Sequence, residues 1–376
     1  LYGLNLRHFT RRFANSLDLR PPFFNSSNQH TFSMKTSSIV LLVSATILSA
    51  QTPPVPGTNQ PTTRAPRPAD TTPASPEILP GNGLSQHDFF YAGEGDGHHR
   101  MYIVRKGKID WSYEAPDPNA KGEISDATLL SNGNVLFAHQ FGITEITAAK
   151  KVVWNYDAPP KTEIHTGQPI GANYVVFIQN GNPAKLMVVN KTSGVREKEF
   201  ILPVANTNST HGQFRHARLT KAGTILIGHM DSKKICEYDV NGKELLSLAV
   251  PDLWMAAPLD NGNILLTREK TAVEELNRQG EIVWQFARAD LVGYRLSGMQ
   301  VAARLANGNT LINNWCTKGA GPAAGTSIQA FEVTSDKKVV WALRSWNEPA
   351  DLGPSTTIQI LDQPSAPENV HFGDFK

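Results

Sequence analysis

The chain is poor in several things at once. It has only two cysteines, Cys236 and Cys316, in 376 residues, too few for a fold built on disulfides. Formal net charge is only +2, so no strong field draws nucleic acid or acidic lipid. Basic residues are scattered through turns instead of clustering with aromatics, which argues against a nucleic-acid groove. No apolar run reaches the ~20 residues that span a bilayer. No unit carries a 3.6-residue apolar stripe, which excludes a helical solenoid.

What is present begins with three segments that have no core pattern. Residues 1–33 show no periodicity and read as a leader without a fold, or an artefact of gene-start choice. Residues 34–50, in "MKTSSIVLLVSATILSAQ", have a short positive start, an apolar stretch over 39–48 and a small-residue end. That is the layout of a secretory signal peptide, so the expected location is exported, periplasmic or extracellular. Residues 51–85 form a linker; nine prolines and six threonines fall between Gln51 and Pro80, a composition that tethers and does not pack.

From about residue 86 the chain repeats itself. Trp111, Trp154, Trp284 and Trp341 sit in "KIDWSYE", "KVVWNYD", "EIVWQFA" and "KVVWALR". Trp111 and Trp154 are 43 residues apart, and Asn132 and Asn261 are 129 apart, three such periods. Phe200 and Leu246 mark two degenerate copies. Each copy reads as four short strands, with Asn-Gly hairpin turns at Asn132, Asn261 and Asn307. The expected fold is all-β: a six-bladed β-propeller of four-stranded blades over residues 86–363, followed by a tail over 364–376. The first copy has only three strands, and "STTIQILDQP" from Ser355 is a first strand without followers. The C-terminal strand is therefore expected to complete blade 1 beside Phe89 and leave no open edge.

The loosely repeated phrase in "RKGKIDW", "AAKKVVW", "RQGEIVW" and "SDKKVVW" resembles the PQQ-like repeat of quinoprotein alcohol dehydrogenase-like propellers. "LANGNTLI…FEVTSDKKVVW" is similar to arylsulfotransferase-like propellers. The resemblance implies architecture more than activity. Quinoprotein enzymes hold their quinone against adjacent cysteines near acidic groups; Cys236 and Cys316 are far apart in sequence, and no acidic cluster is visible. No quinone is expected, and a divalent metal is the one cofactor left open.

Ligands of propellers usually use one loop face or the channel mouth. Segments entering successive blades place Asp126, His165, His211, Arg215, His216, Trp254, Arg295 and Gln300 there, with His139 and Trp315 from loops within blades. His suits metal ligation, nucleophilic and acid–base work alike. The arylsulfotransferase resemblance implies catalytic roles for His165, His216 and Arg215; the others are ligand-binding candidates. Two functions follow as expectations. One is a monomeric binding or scaffold module for a protein or carbohydrate-like ligand, without nucleic acid or a transmembrane segment. The alternative is an enzyme with a His/Arg-rich mouth, arylsulfotransferase-like or metal-dependent.

Overall fold

The computed structural model describes residues 76–95, 98–115, 122–319 and 324–376. The leader, the signal-like segment and most of the linker lie outside these residues. The described chain forms six four-stranded antiparallel sheets. Blade 1 holds β1 (Phe89–Gly95), β2 (His98–Arg105) and β3 (Lys108–Glu114), with β24 (Ser355–Ile360) at its other edge. Blade 2 holds β4 (Asp126–Leu129), β5 (Val135–Ala138), β6 (Gly142–Ile146) and β7 (Val152–Asp157). Blade 3 holds β8 (Glu163–Ile170), β9 (Tyr174–Asn180), β10 (Ala184–Asn190) and β11 (Arg196–Leu202). Blade 4 holds β12 (Phe214–Leu219), β13 (Ile225–His229), β14 (Lys234–Tyr238) and β15 (Glu244–Ala249). Blade 5 holds β16 (Leu253–Pro258), β17 (Ile264–Arg268), β18 (Ala272–Leu276) and β19 (Ile282–Ala287). Blade 6 holds β20 (Gly298–Arg304), β21 (Thr310–Trp315), β22 (Ala330–Val333) and β23 (Val339–Leu343).

The ring closes as the sequence implies. In β24, Ile360 pairs with Phe89 and Ile358 with Tyr91, so β1 has a neighbour on both sides. The six strands β4, β8, β12, β16, β20 and β24 contact one another around the ring. They are the inner strands, and the four repeated tryptophans lie on the outer ones.

Each gap between neighbouring blades is filled by its own apolar cluster, so the core is six wedges and not one ball. Trp341 is fully buried between blades 6 and 1, a contribution of a few kcal/mol (about 2–3) from ring burial alone. The outer tryptophans also tie blades together. The Trp111 indole N–H donates to the Ala148 carbonyl in the next blade at 2.8 Å, and that of Trp284 to Ser335 at 2.8 Å.

The Asn-Gly turns have a structural explanation. Gly133 and Gly308 adopt φ of 83° and 85°, the left-handed region that favours glycine. The preceding asparagines accept from the amide two residues on, at 2.9 Å in each turn. Glu145, Glu275 and Glu332 on the third strands then take the turn's side-chain amides. Three blades repeat one folding device.

Residues beyond 361 lie against the ring. The Glu368 carbonyl accepts from Gly171, and Phe372 is fully buried in the wedge between blades 3 and 4.

Candidate functional site

Five of the six inner strands carry bulges, and several polar residues of the axis sit in them. In β8, His165 and Thr166 lie between the paired residues Ile164 and Gly167, which face Gln179 and Phe177. In β12, Arg215 and His216 lie between Phe214 and Ala217. Trp254 is the extra residue in β16, Gln300 in β20 and Thr356 in β24. A bulge turns side chains out of the regular alternation, and here it aims them at the axis. Bulge residues of four blades (Arg215, His216, Trp254, Gln300 and Thr356) line one small cavity together with Glu94, Ser125 and Val301. At about 10 Å³ it is close to the space of a single water.

Behind this cavity is a network of imidazoles and carboxylates. His165 is fully buried. Its Nε2 lies 2.7 Å from Glu163 Oε2, and its Nδ1 2.9 Å from Ser125 Oγ. The same Glu163 oxygen is 2.8 Å from His211 Nδ1. The two imidazole rings are edge-on, with centroids 5.0 Å apart. His211 Nε2 stands 3.3 Å from Glu123 Oε1 and also touches Arg215 Nη2. Arg215 donates through Nη1 to Glu123 Oε2 at 2.6 Å and lies over the Trp254 ring at 5.5 Å.

These contacts divide the protons unequally. Burial lowers His165 to about 4, against the pull of the Glu163 hydrogen bond. Hydrogen bonds with Glu123 and Glu163 raise His211 to about 9. Burial opposes ionisation of Glu163, but its hydrogen bonds from both histidines hold it well below the usual carboxylate range. Glu123 is likewise held at about 2, where the His211 hydrogen bond and the Arg215 charge overcome burial. Glu94 goes the other way: burial, then repulsion from Glu123, lift it to about 8. At neutral pH His165 and Glu94 are uncharged, while His211 carries a proton beside two carboxylates.

Either protonation state of His211 finds a partner. Charged, its Nε2–H faces Glu123. Neutral, its Nε2 accepts from Arg215, since a guanidinium can only donate. A group stable in both forms is suited to giving and taking a proton.

Donor atoms of Glu123, His165 and His211 lie within 4.8 Å of one another, and no other such His, Cys, Asp or Glu group occurs among the described residues. A divalent ion does not fit them as they stand. Arg215 already occupies the Glu123 and His211 atoms that would be ligands, and a cation would have to displace a cation.

Asp126, Arg218 and Thr166 form a second layer. Asp126 is buried and takes both Arg218 nitrogens, at 2.7 Å and 2.8 Å, with Thr166 Oγ1 at 3.0 Å. Burial opposes its ionisation, and the Arg218 charge outweighs that, so its pKa is lowered. His216 next to it is pushed by burial to about 3, and its Nδ1 has no partner among the described residues.

The structure thus brings His165, His211, Arg215, His216, Trp254 and Gln300 to one place, with Asp126 supporting them. It does not bring the rest. His139 turns into a separate cavity of about 440 Å³ between blades 1 and 2, where Thr144 Oγ1 is 3.0 Å from its Nε2. The two sites share Glu123. Arg295 and Trp315 are not among the axial lining; the Arg295 carbonyl accepts from Asn314, and the Trp315 ring lies beside Gly95. Cys236 and Cys316 are both buried, and no disulfide joins them. Sequence reasoning missed Glu94, Glu123, Ser125, Glu163 and Arg218. The three glutamates come from three blades, so no local spacing announces an acidic cluster. Glu123, Ser125 and Asp126 do stand together in "GEISD", and Glu163 with His165 in "EIH", which was the available signal.

No protein-family model and no curated protein matches this sequence. Solved structures do. A Bacteroides caccae protein of unknown function is 25% identical over 72% of this chain and 97% of its own, with a TM-score of 0.62. Virginiamycin B lyase from Staphylococcus aureus is 14% identical over 70% of this chain and 85% of its own, at 0.46. BamB from Moraxella catarrhalis is 14% identical over 60% and 64%, at 0.37. The likeness to the Bacteroides caccae structure is one of fold.

Proposed function

We propose that the propeller is an enzyme whose axial site works on a small polar ligand by proton transfer. His165 is the base, and His211 with Glu94 supply protons. One observation carries this reading: a single Glu163 oxygen joins two neighbouring imidazoles, one fully buried and the other half-exposed, and burial holds the first at about 4 while its carboxylate partners lift the second to about 9. Paired groups whose surroundings push their pKa values apart are how one site runs acid and base chemistry at one pH. A purely structural histidine pair has no need of this split. Arg215 and Trp254 hold the ligand, the guanidinium for polar groups and the indole for its flat face.

The resemblance to arylsulfotransferases adds little to this proposal. Both His165 nitrogens are engaged, by Ser125 and Glu163, so neither lone pair is free for an incoming sulfuryl group. A second reading, binding without chemistry, is favoured by the 440 Å³ cavity, which is large enough for a small organic ligand. Export, by way of residues 34–50, belongs to the proposal and not to the described structure.

The test is ring-nitrogen NMR of the histidines from pH 4 to 10. His165 should stay neutral with its proton on Nε2 from about pH 5 upward, and His211 should titrate near 9. If both rings titrate together near 6.5, the division of roles is wrong.

A further inference from the structure

We propose that Ser125 is a nucleophile and that the site transfers a short acyl group from an ester to water through a Ser125 acyl intermediate. This rests on the reading of His165 as a base and extends it to the bond that is made.

The proton geometry leaves little choice. Glu163 is ionised and can only accept, so His165 Nε2 carries the ring proton and donates to it at 2.7 Å. Nδ1 is then the lone-pair nitrogen. Ser125 Oγ, at 2.9 Å from it, must donate. The alternative acceptor, Glu123 Oε2, is 3.4 Å away, outside the usual range for O–H donors. Serine hydroxyl, imidazole lone pair, imidazole N–H and orienting carboxylate follow one another in the order that activates a hydroxyl.

A second observation points to what the hydroxyl faces. Ser125 shares the axial cavity with Arg215, Glu94 and His216. Arg215 Nε, Glu94 Oε2 and His216 Nδ1 are all buried without a hydrogen-bond partner among the described residues. A buried, unpaired guanidinium N–H beside a nucleophile is a donor waiting for an oxyanion. Glu94, with its proton, is a second buried donor on the cavity wall. As it stands the cavity has room for about one water, so the acyl group must be short and must displace side chains that line it.

The step balances. Ser125 Oγ attacks the ester carbonyl carbon as its proton moves to His165 Nδ1, and the carbonyl oxygen becomes the anion that Arg215 faces. The bond to the alcohol oxygen breaks, and that oxygen takes a proton from His165. Water then attacks the Ser125 ester, gives one proton to His165, and releases the acid as Ser125 recovers its proton.

Methanesulfonyl fluoride, among the smallest reagents that sulfonylate a serine, is the probe. Treated at neutral pH, the full chain should gain one methanesulfonyl group, placed on Ser125 by peptide mapping and absent from Ser125→Ala. His165→Gln should label about 100-fold more slowly, the loss typical of a removed general base. Ser125→Cys, alkylated by iodoacetamide faster than Cys236 or Cys316, gives the same answer in a variant of nearly unchanged shape. Labelling elsewhere, or an equal rate in His165→Gln, overturns the nucleophile. If His165 is neutral by NMR yet neither the Ser125 hydroxyl nor the thiol introduced by Ser125→Cys reacts, the nucleophile falls and the acid–base reading stands. A His165 protonated at neutral pH removes both.

Discussion

Arg218→Ala tests the layer that holds the site. Arg218 on β12 gives two hydrogen bonds to Asp126 on β4, and Thr166 on β8 joins them, so the pair pins three successive blades at the axis. The Asp126 side chain is 1% exposed and that of Arg218 28%. Removing the cation leaves a buried carboxylate with only Thr166 and the Gly167 amide, at 3.0 Å and 3.3 Å. Breaking a buried pair from one side costs about 3–5 kcal/mol, which for a domain of this size lowers the melting temperature by about 10 °C. The loss should depend on pH in a particular direction. In the parent protein Asp126 has a lowered pKa, so its contribution is present above the unfolded value and fades only as pH falls through the folded one. Without Arg218 the carboxyl is desolvated and unpaired, and it takes up a proton more readily. The difference between variant and parent should therefore shrink between pH 7 and pH 5. Thermal melts followed by tryptophan fluorescence at both pH values measure this. Asp126→Leu combined with Arg218→Met should recover most of the loss. A penalty under about 1 kcal/mol at pH 7, or one equal at both pH values, would show that the pair is not a buried strut.

Stability should fall on both sides of neutrality. Burial holds His165, His216 and His229 at about 4, 3 and 4, so the unfolded chain binds more protons below about 6.5 and melting temperature should drop from there towards pH 4, less steeply in His229→Phe. On the alkaline side, His211 is raised to about 9; its contribution is complete below about 6.5 and lost through 9, worth about 1 kcal/mol at its half-exposed position. Glu94, raised to about 8, subtracts in the same direction, and melts of His211→Asn from pH 7 to 10 should be flatter than the parent's. Zinc or a chelator should leave the melting temperature unchanged, because Arg215 holds the Glu123 and His211 atoms a metal would need; a zinc-dependent rise abolished in His211→Asn would reverse that reading.

The architecture was legible because each blade writes its own signals. Asn-Gly turns and the outer-strand tryptophans are local, and the unmatched strand at Ser355 followed from counting. The histidines and Arg215 were also legible as polar residues at blade starts. The partners that give them chemistry were not. Glu163 touches His165 two residues away but also His211 forty-eight away, and Arg215 meets Glu123 across ninety-two. His139, at the end of a second strand whose pairing is regular, turns instead into the cavity between blades 1 and 2. For the residues of the bulged inner strands, turning to the axis depends on one extra residue in the strand, and that leaves no compositional trace.

Those extra residues have a further consequence. A side chain in a bulge is outside the strand's regular pairing, so its replacement costs the blade few of the contacts that hold it upright. His165, Arg215, Gln300 and Thr356 can each be exchanged while the six wedges stay filled; Trp254 also packs on the wedge between blades 5 and 6. The axis of this ring can be rewritten one position per blade, which makes the same scaffold a starting point for chemistries quite unlike its own.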